Sequence, residues 1–132
     1  MKIEAETEIA RPPEEVYAVV SDLARGPEWQ PTLVRVDVEA GIEVRRIAGH
    51  EREARFEVTR AEPPRLFEIV SHASPVRAWA TFELEPSGAG TRVRLSLVLE
   101  LSGPLRFAGR MIRGRAEHEA GENLERLKQL VE

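Results

Sequence analysis

The hydrophobic period of this chain changes at Ser102, and that change limits what the chain can fold into. Before it, most segments repeat their apolar residues every second position; after it, the repeat is every three or four. Residues 91–101 show the first pattern most clearly, with Val93, Leu95, Leu97, Leu99 and Leu101 on one face. Such alternation predicts a strand with one dry and one wet side. Beyond Ser102, Leu105, Ala108, Met111, Ile112, Ala116, Ala120, Leu124, Leu127 and Val131 recur at helical spacing. Ser102 suits an N-cap and Pro104 a first turn, so one long helix is predicted from there to the end.

The same reading orders the rest. Ile3, Ala5, Thr7 and Ile9 oppose Lys2, Glu4, Glu6 and Glu8, which predicts a strand. Pro13, Glu14 and Glu15 make a good helix start. Val16, Tyr17, Val19, Val20 and Leu23 give that helix its apolar stripe, and Gly26-Pro27 breaks it. A short turn or helix follows around Glu28-Trp29-Gln30-Pro31. Strands are predicted over 33–39, with Val34, Val36 and Val38 sharing a side, and over 42–48, 52–60, 65–73, 76–85 and 91–101. Short connections between them predict an antiparallel meander, so the fold class is α+β. The 132 residues show no repeat and no linker, which suggests one domain over 1–132.

Composition excludes several chemistries. There is no cysteine, so disulfides and thiolate zinc sites are out, and a cytoplasmic location is expected. A net charge of -4 argues against non-specific nucleic-acid binding. The alternating charges of MKIEAETEIA are not those of a signal peptide, and no apolar run reaches the roughly 18 residues of a membrane span.

Seven twisted strands facing a long helix tend to curl, and curling leaves space that side chains fill or leave open. The inward positions are mainly aliphatic and aromatics are 5% of the chain, so both a packed core and a cavity fit. Gly109, Gly114 and Gly121 lie within the predicted helix. They imply close packing, a bend, a moving segment or a tolerant face. Arg106, Arg110, Arg113 and Arg115 crowd the helix's first half and acids its second, against the dipole. Arg115 with Glu119 could offset part of this. The basic half is either a solvated face or a meeting point for an anionic ligand head, an acidic partner or lipid phosphates.

The run Ala10-Arg11-Pro12-Pro13-Glu14-Glu15-Val16-Tyr17, then Ser21-Asp22 and Glu28-Trp29, resembles the opening of the START-like, Bet v 1-like superfamily (SRPBCC). The polyketide cyclase/dehydrase and lipid-transport proteins are its most similar sub-group. Residues 80–86 with 90–93 resemble that family's late hairpin, and Asn123-Leu124-Glu125-Arg126-Leu127-Lys128 the close of its last helix. The resemblance implies a helix-grip fold, in β-α-α-β6-α order: a seven-stranded curved antiparallel sheet around a long C-terminal helix. It implies a hydrophobic pocket and no single activity, since members include carriers, receptors and cyclases.

A ligand cavity is therefore expected between sheet and helix, lined by Thr7, Tyr17, Phe56, Phe67, Ser71, Phe82, Leu95, Leu97, Met111 and Ile112. Trp79, Thr81 and Ser96 are further polar candidates. Catalysis would need an acid–base group inside, and Glu68 with His72 qualifies only if residues 65–73 turn that face inward. His118-Glu119-Ala120-Gly121-Glu122 puts Glu where a zinc helix needs His, so no metal and no cofactor are expected. The expected function is binding or transport of a small lipid- or polyketide-like molecule. The alternatives are a cyclase or dehydratase, or an interaction protein with a vestigial pocket. Arg106, Arg110 and Arg113 are the expected docking residues for a membrane or protein; the pattern leaves the oligomeric state open.

Overall fold

The computed structural model describes residues 1–132. Its strands are β1 (Lys2–Ile9), β2 (Leu33–Asp37), β3 (Ile42–Ile47), β4 (His50–Glu62), β5 (Leu66–Ala73), β6 (Val76–Ser87) and β7 (Gly90–Leu101). They form one antiparallel sheet in the order β1-β7-β6-β5-β4-β3-β2. Helix α1 (Pro13–Val20) and a 3-10 turn (Leu23–Glu28) separate β1 from β2. A second 3-10 turn (Gly103–Ala108) leads into α2 (Gly109–Val131). This is the START/Bet v 1 helix-grip arrangement, seven strands around a long C-terminal helix.

Alternation does place the faces of β1 and β7. Ile3 pairs with Leu97, Ala5 with Leu95, Thr7 with Val93 and Ile9 with Thr91, all on the concave side. Glu6 and Glu8 meet Arg92, and Glu6 also meets Arg94, on the convex side, where water screens the pairs. The start of β7 lies so close to the end of its neighbour β1 that a Cβ on Gly90 would collide with the Ile9 carbonyl.

The C-terminal half of α2 is the keystone of the core. Ala120, Leu124 and Leu127 are buried with Ile3, Ile9, Val16, Val20, Val93 and Leu95 in one cluster. Leu127 is 0% and Leu124 1% exposed, so cutting either to Ala would cost about 2–5 kcal/mol. The helix also bonds the outer side of β1. Arg113 donates to the Lys2 carbonyl (3.1 Å) and Lys128 to the Glu8 carbonyl (2.7 Å). The Ala10 N–H donates to the Glu132 carboxylate (2.8 Å).

Four expectations change. The predicted Val34–Val36–Val38 face is broken by a register shift between Leu33 and Arg35. Two residues oppose one there, so Leu33 turns inward while Val34 and Val38 are exposed. The long helix starts at Gly109 rather than after Ser102, because the Ser102 hydroxyl donates to the Pro75 carbonyl (3.2 Å) instead of capping. Glu119 is not the partner of Arg115; Arg113–Glu117 and Arg126–Glu122 are the observed Arg–Glu pairs along the helix. The first helix ends at Val20, where the Ser21 hydroxyl donates to the Tyr17 carbonyl (2.7 Å).

Of the readings open for the helix glycines, the tolerant face describes two. A Cβ on Gly114 or Gly121 would meet no atom within 4 Å, and both residues are exposed. Gly114→Ala and Gly121→Ala should each raise stability by about 1 kcal/mol in urea unfolding. A loss of stability in either would show that the helix needs the freedom of glycine there.

Candidate functional site

Helix α2 runs along β1, so it covers the far strands unevenly. Under its C-terminal half the concave face is packed shut. Beside its N-terminal half lie concave positions that water reaches. By register, Ala80 lies level with Ile69 and Leu97, and Ala78 with Ser71 and Leu99. Ile69, Ala78, Ala80, Leu97, Ile112 and Ala116 are packed on the core yet only partly buried. Phe56 and Ser71 are likewise half-buried, and Val58 is 40% exposed. These half-buried side chains make an apolar strip across β4–β7, with Ile112 and Ala116 of the helix beside it, and this strip is the candidate groove.

A charged cluster stands on the same concave side. Glu43 is only 5% exposed. Arg45, two residues on, gives Nε to Glu43 Oε1 (3.0 Å), Nη2 to Gln30 Oε1 (2.9 Å) and Nη1 to Thr32 Oγ1 (3.2 Å). The Thr32 hydroxyl donates to Glu119 of α2 (2.5 Å), whose carboxylate lies 3.9 Å from Arg45. These contacts tie the β2–β3 edge to the middle of α2. The guanidinium is nearly saturated, and two carboxylates face one cation. The cluster therefore disfavours an incoming anion and can accept from a hydroxyl or amine. Nearby in sequence, the buried Trp29 Nε1 on β2's approach and Asn123 Oδ1 on α2 have no hydrogen-bond partner.

The residues expected from sequence divide into four sets. Thr7, Phe56, Ser71, Leu97 and Ile112 lie half-buried on the concave side or the helix above it. Tyr17, Phe67, Phe82 and Leu95 are buried within the core cluster. Tyr17 meets Phe67 edge-on at 6.1 Å and donates to the Leu66 carbonyl (3.0 Å). Burial pushes its hydroxyl pKa up, which keeps it a neutral donor. Met111, expected in the lining, is instead 69% exposed and does not pack against the core cluster, so it lies outside the strip. Trp79, Thr81 and Ser96 fall on the convex face, Trp79 opposite Val98 and Thr81 opposite Ser96.

Glu68 and His72 also face the convex side, paired with Thr81 and Arg77. His72 Nδ1 accepts from Arg77 Nε (3.0 Å). Glu68 accepts from the Thr81 (2.7 Å) and Thr59 (2.8 Å) hydroxyls, which hold its pKa below the ordinary carboxylate value. A group kept ionised on the face away from the helix is poorly suited to act as an acid in the groove. His72, Arg55, Ala54, Ala73 and Ser74 instead edge an open hollow of about 430 Å³ where β4 and β5 part.

Glu43 and Arg45 carried little sequence signal. Period two would turn Ile42 and Val44 inward, as the apolar pair. The observed register puts Val44 beside Arg35 and Glu53, and Glu43 beside buried Ala54. The one available sign was a Glu-x-Arg pair inside a strand otherwise bounded by apolar residues.

A family model described as polyketide cyclase / dehydrase and lipid transport matches residues 1–132. No curated protein is similar enough to the chain to be matched. Solved structures share the fold. TTHA0849 from Thermus thermophilus has a TM-score of 0.83 at 23% identity, over 99% of this chain and 97% of its own. A START superfamily protein from Mycobacterium smegmatis has a TM-score of 0.86 at 18% identity, over 98% and 96%. A conserved protein from Geobacillus kaustophilus has a TM-score of 0.80 at 17% identity, over 99% and 95%.

Two measurements check this geometry. Arg45→Ala strands buried Glu43 and should cost about 3 kcal/mol in urea unfolding, whereas Glu119→Gln keeps a bond to Thr32 and should cost about 1 kcal/mol or less. Equal losses would contradict the assignment of Glu43 as Arg45's dependent partner. Thr81→Val should raise the Glu68 titration midpoint by NMR. The depressed carboxylate stabilises the fold above its unfolded-state pKa, and that contribution fades as pH falls through the lowered value.

Proposed function

The chain belongs to the polyketide cyclase / dehydrase and lipid transport family, and on that premise we propose that it binds and carries a small amphipathic molecule in the open groove. The observation that carries this reading is the row of apolar side chains, Ile69, Ala78, Ala80, Leu97 and Ile112, that stay partly exposed on the concave side. Apolar surface beside a packed core gains from a guest that removes it from water, at about 25 cal/mol per Å². Phe56, Ser71 and Ala116 extend the lining. The Glu43–Arg45–Glu119 cluster favours a guest whose polar end donates a hydrogen bond and disfavours a carboxylate. Tyr17, Phe67, Phe82 and Leu95 act as the rigid backing of the groove. On this reading Arg106, Arg110 and Arg113 would serve to dock the carrier at a source of ligand. The absence of cysteine is compatible with a cytoplasmic setting. No helix is long and apolar enough to cross a membrane.

A cyclase or dehydratase reading draws on one observation, the Glu119 carboxylate on the concave side with a single hydrogen-bond partner, Thr32. It would serve as a general base toward a bound polyketide-like chain. Glu119→Gln that keeps ligand affinity and removes turnover would favour this reading over carriage.

The test is titration with a neutral naphthylamine dye. Ala80→Trp fills the floor and should weaken dye binding at least about tenfold, equivalent to 1.4 kcal/mol, with an unchanged circular dichroism spectrum. A long-chain alcohol should displace the dye more effectively than the fatty acid of equal length. Unchanged affinity in the tryptophan variant would remove the groove as the binding site.

A further inference from the structure

We propose that the segment from Leu105 to Arg115 docks the protein on an anionic lipid surface, with the open groove facing the lipid. Phe107 is 81% exposed and Met111 69% exposed, the two most exposed large apolar residues in the chain. They stand four residues apart across the junction between the 3-10 turn and α2. Residues 102–116 hold Arg106, Arg110, Arg113 and Arg115 and no acid. Setting those four aside leaves 15 basic residues against 23 acidic ones, so this end is a basic island on an acidic molecule. Arg113 alone of the four has a carboxylate partner, Glu117 at 3.6 Å. Arg106 lies over the Phe107 ring, 5.1 Å from its centroid, and leaves its charge available. The first turn of α2 has no side-chain cap, so its positive dipole end adds to the same field.

Charge complementarity selects the occupant. Four arginines alone would suit any acidic partner. Arginines interleaved with an exposed phenylalanine and methionine suit the headgroup boundary, where cations meet phosphates and rings enter the acyl edge. The position adds a second argument. Ile112, next to Met111, is half-buried on the groove side, so docking by this tip presents the groove's apolar opening to the bilayer. A molecule leaving the bilayer would then enter without crossing water.

Co-sedimentation with phosphatidylserine-containing vesicles, against pure phosphatidylcholine vesicles, tests this. The protein should sediment with the anionic vesicles, and raising salt from about 0.05 M to 0.5 M should release it. Arg106→Glu with Arg110→Glu should weaken binding at least about tenfold, and Phe107→Ser with Met111→Ser should do so even at low salt. All four sites are exposed, and dye binding in the groove should be unchanged in both variants, so this result stands apart from the groove's own test. Failure of the unaltered protein to sediment, equal sedimentation with both vesicle types, or wild-type affinity in the variants would overturn the proposal. Capture of an acidic protein through these arginines without vesicle binding would overturn it too.

Discussion

The seating of Leu124 and Leu127 between β1, β7 and α1 decides the shape of everything else. Those two side chains are the deepest on α2, and they fix its C-terminal half in a dry, filled core. The helix runs along β1, with the two leucines seating its C-terminal half and Arg113 tying its N-terminal half to Lys2, while Ile69, Ala78 and Ala80 on the strands further across stay only partly buried. A protein interior packed to crystal-like density at one end coexists with unfilled apolar surface at the other.

The Glu43–Arg45–Thr32–Glu119 contacts play a different part. An ion pair taken out of water gains little net stability, since desolvation offsets most of the attraction. Its effect here is on position. It is the second attachment of α2, joining the helix to the β2–β3 edge from the side opposite β1. With the leucines it fixes the width of the space between. Polar contacts made at a set distance define a single geometry in a way that slippery aliphatic contacts do not.

Much of the architecture was legible in the sequence, for a physical reason. A sheet with one wet face must alternate, and β1 does so throughout, as do β6 and β7 except where Trp79 meets Val98 on the convex side. The change of period at Ser102 marked the turn to helix within seven residues, and the error came from a hydroxyl engaged by the Pro75 carbonyl. The site was less legible. Near β2, one extra residue reverses the alternation, which no count of apolar spacing can reveal. In β3, both faces are partly covered, so Val44 stays dry on one side while Glu43 is buried on the other. Periodicity reports burial only where one face is wet. The facing of Glu68 and His72 depended on pairing with β4 and β6, a fact of register and not of composition.

The side-chain bonds from α2 to β1 have a consequence for how copies of this molecule meet. An open sheet has two edges, and each is a template on which another chain can add a strand. Here β1 is one edge, but Arg113 and Lys128 occupy the carbonyls of Lys2 and Glu8 along it. The other edge, β2, offers five residues and a kinked register. A neighbour seeking to extend the sheet finds two carbonyls of one border already bonded and the other border short and bent, and both features discourage strand addition.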